Sequence, residues 1–320
     1  MPLHYSREDP VDGLEVITIG RSSVDLYGQQ IGSRLEDVAS FAKSVGGCPA
    51  NIAIGAARLG LRSAVITAVG DEQLGRFLRE QFAREGVALE GVKVDPDRLT
   101  ALAILSVEDD RSFPLLFYRE NCADMGLTEA DIDEDFVASA AAIVVTGTHF
   151  ARETTAAAQR KAMRAARASG GKVVFDIDYR PNLWGVARHA EGDQRYVRST
   201  KVSQHLRTVL PDCDLIVGTE EEIHIASGEE DTLAALRRIR ALSEATIVLK
   251  RGPMGCVVFP DAIPDRIEDG VVGRGFPIEV YNVLGAGDAF MAGFLRDWLR
   301  GEKLETAAEW ANACGAPFRL

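Results

Sequence analysis

The chain has no paired cysteines to staple it, no apolar run long enough to cross a membrane and no basic stripe to hold a polyanion. Its five cysteines, Cys48, Cys122, Cys213, Cys256 and Cys314, lie far apart and form no C-x-x-C pair. This odd, scattered set argues against a disulfide framework or a thiolate metal site and for a reducing, cytoplasmic setting. No apolar stretch approaches the roughly 18 residues that a membrane span needs. The N-terminal segment is polar, with Arg7, Glu8 and Asp9 where a signal peptide would carry its apolar region, so neither export nor insertion is expected. Basic residues number 36 against 48 acidic ones, a net charge of -12. The long-range field therefore repels nucleic acid and anionic membrane, and an anionic substrate needs local cations.

What is present is the composition of a globular protein. Apolar residues make up 46% and charged residues 26% of 320 positions, enough for one large α/β domain or two modest ones. Val16-Ile-Thr-Ile19, ending at Gly20, predicts a first strand that delivers Asp25 at or just beyond its carboxyl end, the edge where open α/β sheets gather ligands. Gly46-Gly-Cys-Pro-Ala-Asn51 opens a helix, with Pro49 near its first turn and Ile52, Ala56 and Leu59 on one face. Residues 63–69 predict a strand and 73–85 a helix. Between them Gly70-Asp-Glu-Gln-Leu-Gly75-Arg76 lacks the Lys-Ser/Thr pair of a P-loop. Residues 92–120 turn β-rich, with strands expected at 100–107 and 113–118. Together with residues 24–40 they predict a small β-sheet that could serve as a lid or merely decorate an edge. From residue 141 onward, strands at 142–146, 172–177, 214–217 and 246–249 alternate with helices at about 153–169 and 233–242. That is the pattern of a mainly parallel, Rossmann-type α/β sheet with helices on both faces. No repeat, low-complexity tract or long linker interrupts it, so residues 1–320 are expected to form one domain carrying the lid.

Four strand ends carry polar or glycine-rich clusters: Gly147-Thr-His149, Asp176-Ile-Asp178-Tyr-Arg180, Gly218-Thr-Glu-Glu-Glu222 and Lys250-Arg-Gly252. One could be chance; four at equivalent ends predict a site. The stretch best suited to chemistry is Asn282-Val-Leu-Gly-Ala-Gly-Asp-Ala-Phe290, which runs into an amphipathic helical pattern. Glycines ahead of a helix leave backbone N–H groups free to face an anion, and the helix dipole adds positive potential. Asp288 can take a proton there while the N–H groups of Ala286, Gly287 and Asp288 hold developing negative charge. Phosphoryl transfer needs these parts together with Mg²⁺ on a nucleotide. Glu222 supplies an acid near the metal, and Gly252 and Gly255 flank a turn that could run beside the nucleotide. Tyr118, Arg119 and Asn121 close the β-rich segment, and Arg119 is a local cation. Blander readings stand beside these: Asp288 as a helix cap, Gly46-Gly47 as a tight turn, Glu222 as a solvated first-turn acid, His149 as a hydrogen-bonded loop residue, and Arg180 as the ion-pair partner of Asp176 or Asp178.

Gly285-Ala-Gly-Asp288-Ala-Phe, taken with Gly46-Gly47 and Asn51, resembles the two signatures of the ribokinase-like (PfkB) carbohydrate kinases. The resemblance covers essentially the whole chain. It implies a ribokinase-like body with a small β-sheet lid that moves the γ-phosphoryl group of ATP to a sugar hydroxyl with Mg²⁺. It makes Asp288 the base, Gly285, Ala286 and Gly287 the anion hole, and Asp25, Gly46, Gly47, Asn51 and Tyr118 sugar contacts. It also implies nucleotide contacts at Thr219, Lys250, Gly252, Gly255 and Asn312. Glu222 matches the family's Asn-x-x-Glu magnesium motif, an indirect contact, with Thr219 in the Asn position. Residues 47–53, 117–124, 176–184 and 281–288 are similar to members that phosphorylate acid sugars. This implies 5-dehydro-2-deoxygluconate of inositol catabolism first and 2-keto-3-deoxygluconate as the alternative, with Arg119 and Arg180 clamping the carboxylate. The family's usual Asp stands here as Asn282, which bears on any monovalent-cation site, and the sequence ends where a nucleotide pocket could be left incompletely walled. Those departures keep a catalytically weak sugar- or nucleotide-binding protein as a second reading. Exposed lid edges could pair two copies into a homodimer.

Overall fold

Residues Ser63–Gly70 are buried at every position, which requires cover on both faces of the sheet that holds them. The computed structural model, which describes residues 13–109, 113–188, 196–276 and 285–316, supplies that cover. In chain order the strands are β1 (Leu14–Ile19), β2 (Ser23–Gly28), β3 (Phe41–Gly46), β4 (Ser63–Gly70), β5 (Val92–Asp95), β6 (Ala101–Leu105) and β7 (Leu115–Tyr118). They continue with β8 (Ala140–Thr146), β9 (Lys172–Asp176), β10 (Leu215–Thr219), β11 (Thr246–Lys250), β12 (Gly255–Phe259) and β13 (Val271–Arg274). The main sheet has the order β13-β12-β11-β10-β9-β8-β1-β4-β5. Strands β5 to β11 of that order are parallel, and β12 and β13 add an antiparallel edge.

The helices are α1 (Cys48–Arg58), α2 (Gln73–Arg84), α3 (Glu134–Ala138), α4 (Glu153–Ala168), α5 (Thr200–Arg207), α6 (Glu220–Ser227), α7 (Thr232–Arg240), α8 (Ala286–Trp298) and α9 (Leu304–Gly315). Successive strand residues point to opposite faces. Accordingly Ile143, Phe175, Ile216 and Ile247 pack with Met163, Leu206, Ile223 and Leu236 of α4 to α7. Val144, Val174, Val217 and Val248 face the other way, against Ile52, Met291, Phe294 and Ala307 of α1, α8 and α9. Helices α1 and α8 run close together because Gly55 has no Cβ: one placed there would lie 2.8 Å from the Ala292 methyl. Among the described residues no helix is long and apolar enough to cross a membrane.

The small sheet has the order β3-β2-β6-β7, and its outline differs from the one expected. Val92–Asp95 belongs instead to the main sheet, where it pairs in parallel with β4 after the crossover through α2. Phe41–Gly46, beyond the expected limit at residue 40, pairs antiparallel with β2 and forms an edge. Its outer half, Phe41-Ala-Lys43, is exposed. A short, partly charged edge strand carries little of the apolar alternation that marks a strand in sequence.

Candidate active site

Two helix N-termini meet at the carboxyl edge of the sheet. Helix α8 starts behind Gly285, which is left-handed at φ 78°, and carries Asp288 in its first turn. Helix α1 starts behind Gly47 at φ 96°, where a Cβ would stand 2.5 Å from the Arg21 carbonyl oxygen, so only glycine fits. The close α1–α8 packing sets Asn51 opposite Asp288, and the Asn51 amide Nδ2 donates to Asp288 Oδ2 at 2.8 Å. Burial raises the Asp288 carboxyl above its ordinary range; the Asn51 bond opposes the rise, Asp178 adds to it and Arg180 pulls against it. A buried carboxylate with a raised proton affinity, aimed into a cleft, has the properties of a general base. The cleft has a volume of about 500 Å³, and its walls include Gly285, Ala286, Gly287 and Asp288.

The side of the cleft away from the lid collects the residues expected for a nucleotide. Thr219 caps α6: its hydroxyl accepts from the Glu222 N–H at 3.2 Å, and Glu222 Oε2 accepts from the Thr219 N–H at 2.8 Å. Glu222 is thus a first-turn helix acid, but a buried one rather than a solvated one, and its Oε1 also accepts from the Tyr179 N–H at 3.3 Å. Lys250 Nζ stands 3.7 Å from Glu222 Oε2 and 3.8 Å from Asp176 Oδ1. Burial alone would drive Lys250 toward neutrality, but those two carboxylates outweigh it and raise its pKa. Asp176 is raised by burial and by Glu222, with Lys250 holding it back. Gly252 and Gly255 line the cleft at the β11–β12 turn, and Asn312 of α9 lines it opposite them. The Asn312 amide donates to the Arg274 carbonyl oxygen at 3.1 Å, tying α9 to β13.

The lid side holds three arginines, two of them already engaged. Arg21 Nη2 meets Asp178 Oδ2 at 2.6 Å in a buried pair. Asp178 has φ 30°, a conformation that non-glycine residues seldom adopt and that recurs at functional sites. Burial would raise its pKa, but Arg21 and Arg180 overcome that and lower it. Arg119, expected as a cation for the substrate, is closed in against Asp124 at 2.5 Å with both side chains buried. Asp124 accepts in addition from the Ser22 N–H and the Cys122 thiol, both at 3.0 Å. Arg180 is the most available of the three: it lines the cleft, is 24% exposed, and stands 3.7 Å from Asp178. Its expected pairing with Asp176 or Asp178 is therefore realised only loosely, with Asp178.

Asp25 lies on β2 in the lid sheet, beside Gly46, where a Cβ would fall 2.0 Å from its Oδ1. Burial raises the Asp25 carboxyl, and the Ser23 hydroxyl and Arg21 oppose that. Tyr118 is 60% exposed and does not line the cleft. His149 departs from the hydrogen-bonded loop residue expected. It is fully buried, neither ring nitrogen finds a partner among the described residues, and burial pushes it down to about 4. Asn282 and the residues after Ala316 lie outside the described residues.

The structure thus brings Arg180, Thr219, Glu222, Lys250, Gly252, Gly255, Asn312 and the Gly285–Asp288 turn to one cleft. Asn51 reaches it through Asp288, whereas Asp25, Gly46, Gly47, Tyr118 and Arg119 stand outside its walls. Sequence reasoning placed Asp176 and Asp178 in a strand-end cluster without giving either a role, and missed Cys48. Cys48, Asp176 and Asp178 all line the cleft, and the Cys48 thiol points to Asp176 Oδ2 at 3.8 Å. The i, i+2 spacing of Asp176 and Asp178 at a strand end was the available signal.

Comparison with known proteins places the chain in a family. Residues 14–317 match the family described as pfkB family carbohydrate kinase. A 5-dehydro-2-deoxygluconokinase of Geobacillus kaustophilus is 31% identical over 98% of this chain and 89% of its own. The crystal structure of a PfkB protein from Polaromonas sp. JS666 superposes with a TM-score of 0.79 at 28% identity, covering 95% of each chain. A fructokinase of Vibrio cholerae O395, solved with fructose, ADP and calcium bound, gives 0.77 at 25% identity over 95% of this chain and 92% of that one.

Proposed function

The chain belongs to the pfkB family of carbohydrate kinases, and we propose that this sugar kinase transfers the γ-phosphoryl group of ATP to the terminal hydroxyl of an acid sugar, 5-dehydro-2-deoxygluconate, giving its 6-phosphate. The observation that carries the acid-sugar reading is Arg180, a guanidinium in the wall of the cleft that holds Asp288, bound to no carboxylate at hydrogen-bonding distance among the described residues. A neutral sugar offers such a cation only hydroxyl oxygens, whereas a carboxylate offers an opposite charge and a bidentate acceptor. The name of the 31% identical relative supports the same substrate.

The sugar hydroxyl oxygen forms a bond to the γ-phosphorus as the bond from that phosphorus to the β,γ-bridging oxygen breaks and ADP leaves. The hydroxyl proton passes to the Asp288 carboxylate. Backbone N–H groups of Ala286, Gly287 and Asp288, with the dipole of α8 behind them, face the charge that develops on the moving group. Bound with ATP, Mg²⁺ would neutralise the phosphates. Glu222 would hold it indirectly, since Mg²⁺ rests well on one carboxylate plus phosphate and water. Asn51 fixes the base, and the buried Arg21–Asp178 pair holds the floor beneath the sugar.

The test is ATP consumption across 5-dehydro-2-deoxygluconate, 2-keto-3-deoxygluconate, ribose and fructose. The highest kcat/KM is expected on the first. A preference for 2-keto-3-deoxygluconate would keep the acid-sugar site and change the substrate, while equal or better turnover of the neutral sugars would overturn the role of Arg180.

A further inference from the structure

Strand β2 of the lid turns its two faces to different surroundings. Val24 and Leu26 pack with Leu78 and Phe82 of α2, so Asp25 and Tyr27, one residue out of step with them, share the opposite face. That face looks toward the reacting centre, since the Asp288 charge acts on both side chains. Burial, then Asp25 and Asp288, hold the Tyr27 phenol above its ordinary pKa. It therefore stays an O–H donor. Tyr27 is half-buried, and among the described residues its hydroxyl makes no hydrogen bond. Beside it the Ser23 hydroxyl donates to Asp25 Oδ1 at 2.9 Å, which leaves Oδ2 to accept from a sugar hydroxyl. Tyr118 cannot share this task. It registers with Leu102 of β6, and Leu102 registers with Val24, so Tyr118 lies on the face turned to α2.

We propose that Tyr27 is a specificity-determining residue whose phenol, presented on the cleft-facing side of the lid next to Asp25, donates to the ketone oxygen of the sugar. This rests on the reading of the substrate as a 5-keto acid sugar and deepens it. Such a sugar carries two kinds of oxygen that only accept, those of the carboxylate and that of the ketone. The carboxylate suits Arg180, whose charge is opposite. The ketone carbon is bonded to the carbon whose hydroxyl Asp288 deprotonates, so its oxygen lies near Asp288. A donor for it must stand within the field of that carboxylate and carry no charge of its own. Tyr27 meets both conditions. A donor to a carbonyl works best near the plane of the C=O group, and reducing the ketone to a carbinol turns the oxygen out of that plane and brings a second donor to a place that already holds one. The mismatch leaves the phenol unpaired.

The test crosses two proteins with two substrates. With ATP and Mg²⁺, kcat/KM is measured for wild type and Tyr27→Phe on 5-dehydro-2-deoxygluconate and on 2-deoxygluconate, which carries a hydroxyl where the ketone stands, with fructose as a neutral control. Phenylalanine keeps the half-buried ring, so the two proteins differ by one hydroxyl. Wild type is expected to favour the keto substrate. Tyr27→Phe should lose roughly 3–10-fold in kcat/KM on that substrate, the loss of one neutral hydrogen bond, and stay within about twofold of wild type on 2-deoxygluconate. An equal loss on both acid sugars overturns the assignment, because the phenol then meets a group that the two share. A loss of less than about twofold on the keto substrate, or a wild type that does not favour it over 2-deoxygluconate, overturns it as well. Wild-type protein that turns over fructose better than either acid sugar instead overturns the reading of the substrate, and the role of Tyr27 falls with it.

Discussion

Replacing Asn51 by Ala removes the amide that donates to Asp288 Oδ2 at 2.8 Å and leaves the rest of the α8 N-terminus in place. Burial raises the Asp288 carboxyl, and the Asn51 bond is the main opposing contribution. A hydrogen bond to a charged group is worth about 1.5–3 kcal/mol, and 1.36 kcal/mol corresponds to one pH unit of pKa. Its loss therefore moves the acid limb of the pH–rate profile upward by about one to two pH units. The sign follows from the role: a base works only when ionised, so a higher pKa removes activity from the acid side and leaves it on the alkaline side. The assay is kcat/KM for an acid sugar from acid to alkaline pH, with wild type alongside. At a fixed pH on the shared acid limb Asn51→Ala should be slower by about 10–100-fold, with the gap closing as pH rises. A profile of unchanged shape at lower height would refute the reasoning, because Asn51 would then act on sugar binding and not on the base.

Three further outcomes are expected. Gly47→Ala puts a methyl group 2.5 Å from the Arg21 carbonyl oxygen at φ 96°; strain of about 1–3 kcal/mol should lower the thermal midpoint, and a wild-type midpoint would contradict the close approach. Asp124→Ala strands the buried Arg119 guanidinium and should cost about 3–5 kcal/mol in denaturant unfolding at neutral pH. Burial works to raise the Asp124 pKa, but Arg119 and its other partners lower it overall. Its stabilisation is therefore complete above the unfolded carboxylate pKa of about 3.9 and lost as pH falls through the lower folded value, so the gap between wild type and variant should narrow only below about pH 4. Arg180→Ala should raise KM for an acid sugar by about 10–100-fold, the loss of a charge-assisted hydrogen bond, and barely change it for a neutral one. Equal rises in both would remove the carboxylate clamp.

The parallel body and the α8 turn were legible in the sequence because both rest on local pattern. Alternating apolar strands and helices demand a sheet covered on both faces, and Gly285-Ala-Gly-Asp288 before an amphipathic run announces a helix N-terminus. What escaped notice depends on partners remote in the chain or on backbone angles. Arg119 reads as a free cation until Asp124 folds back on it through a short turn. The positive φ of Asp178 has no signature in an aspartate. Cys48 reads as filler between glycine and proline, yet α1 sets it in the cleft wall beside Asp176. The β12–β13 edge went unnoticed because its pairing, Gly255 with Arg274 to Val258 with Val271, joins segments across a loop that carries no hairpin signal.

The central claim is that Asp288 is the base. Asp288→Asn keeps the shape of the side chain and the first turn of α8 but cannot accept the hydroxyl proton. Measured with ATP, Mg²⁺ and 5-dehydro-2-deoxygluconate, kcat should fall by roughly 10²–10⁴ while sugar and nucleotide binding stay within a few-fold of wild type. Turnover within about tenfold of wild type in that variant would contradict the account.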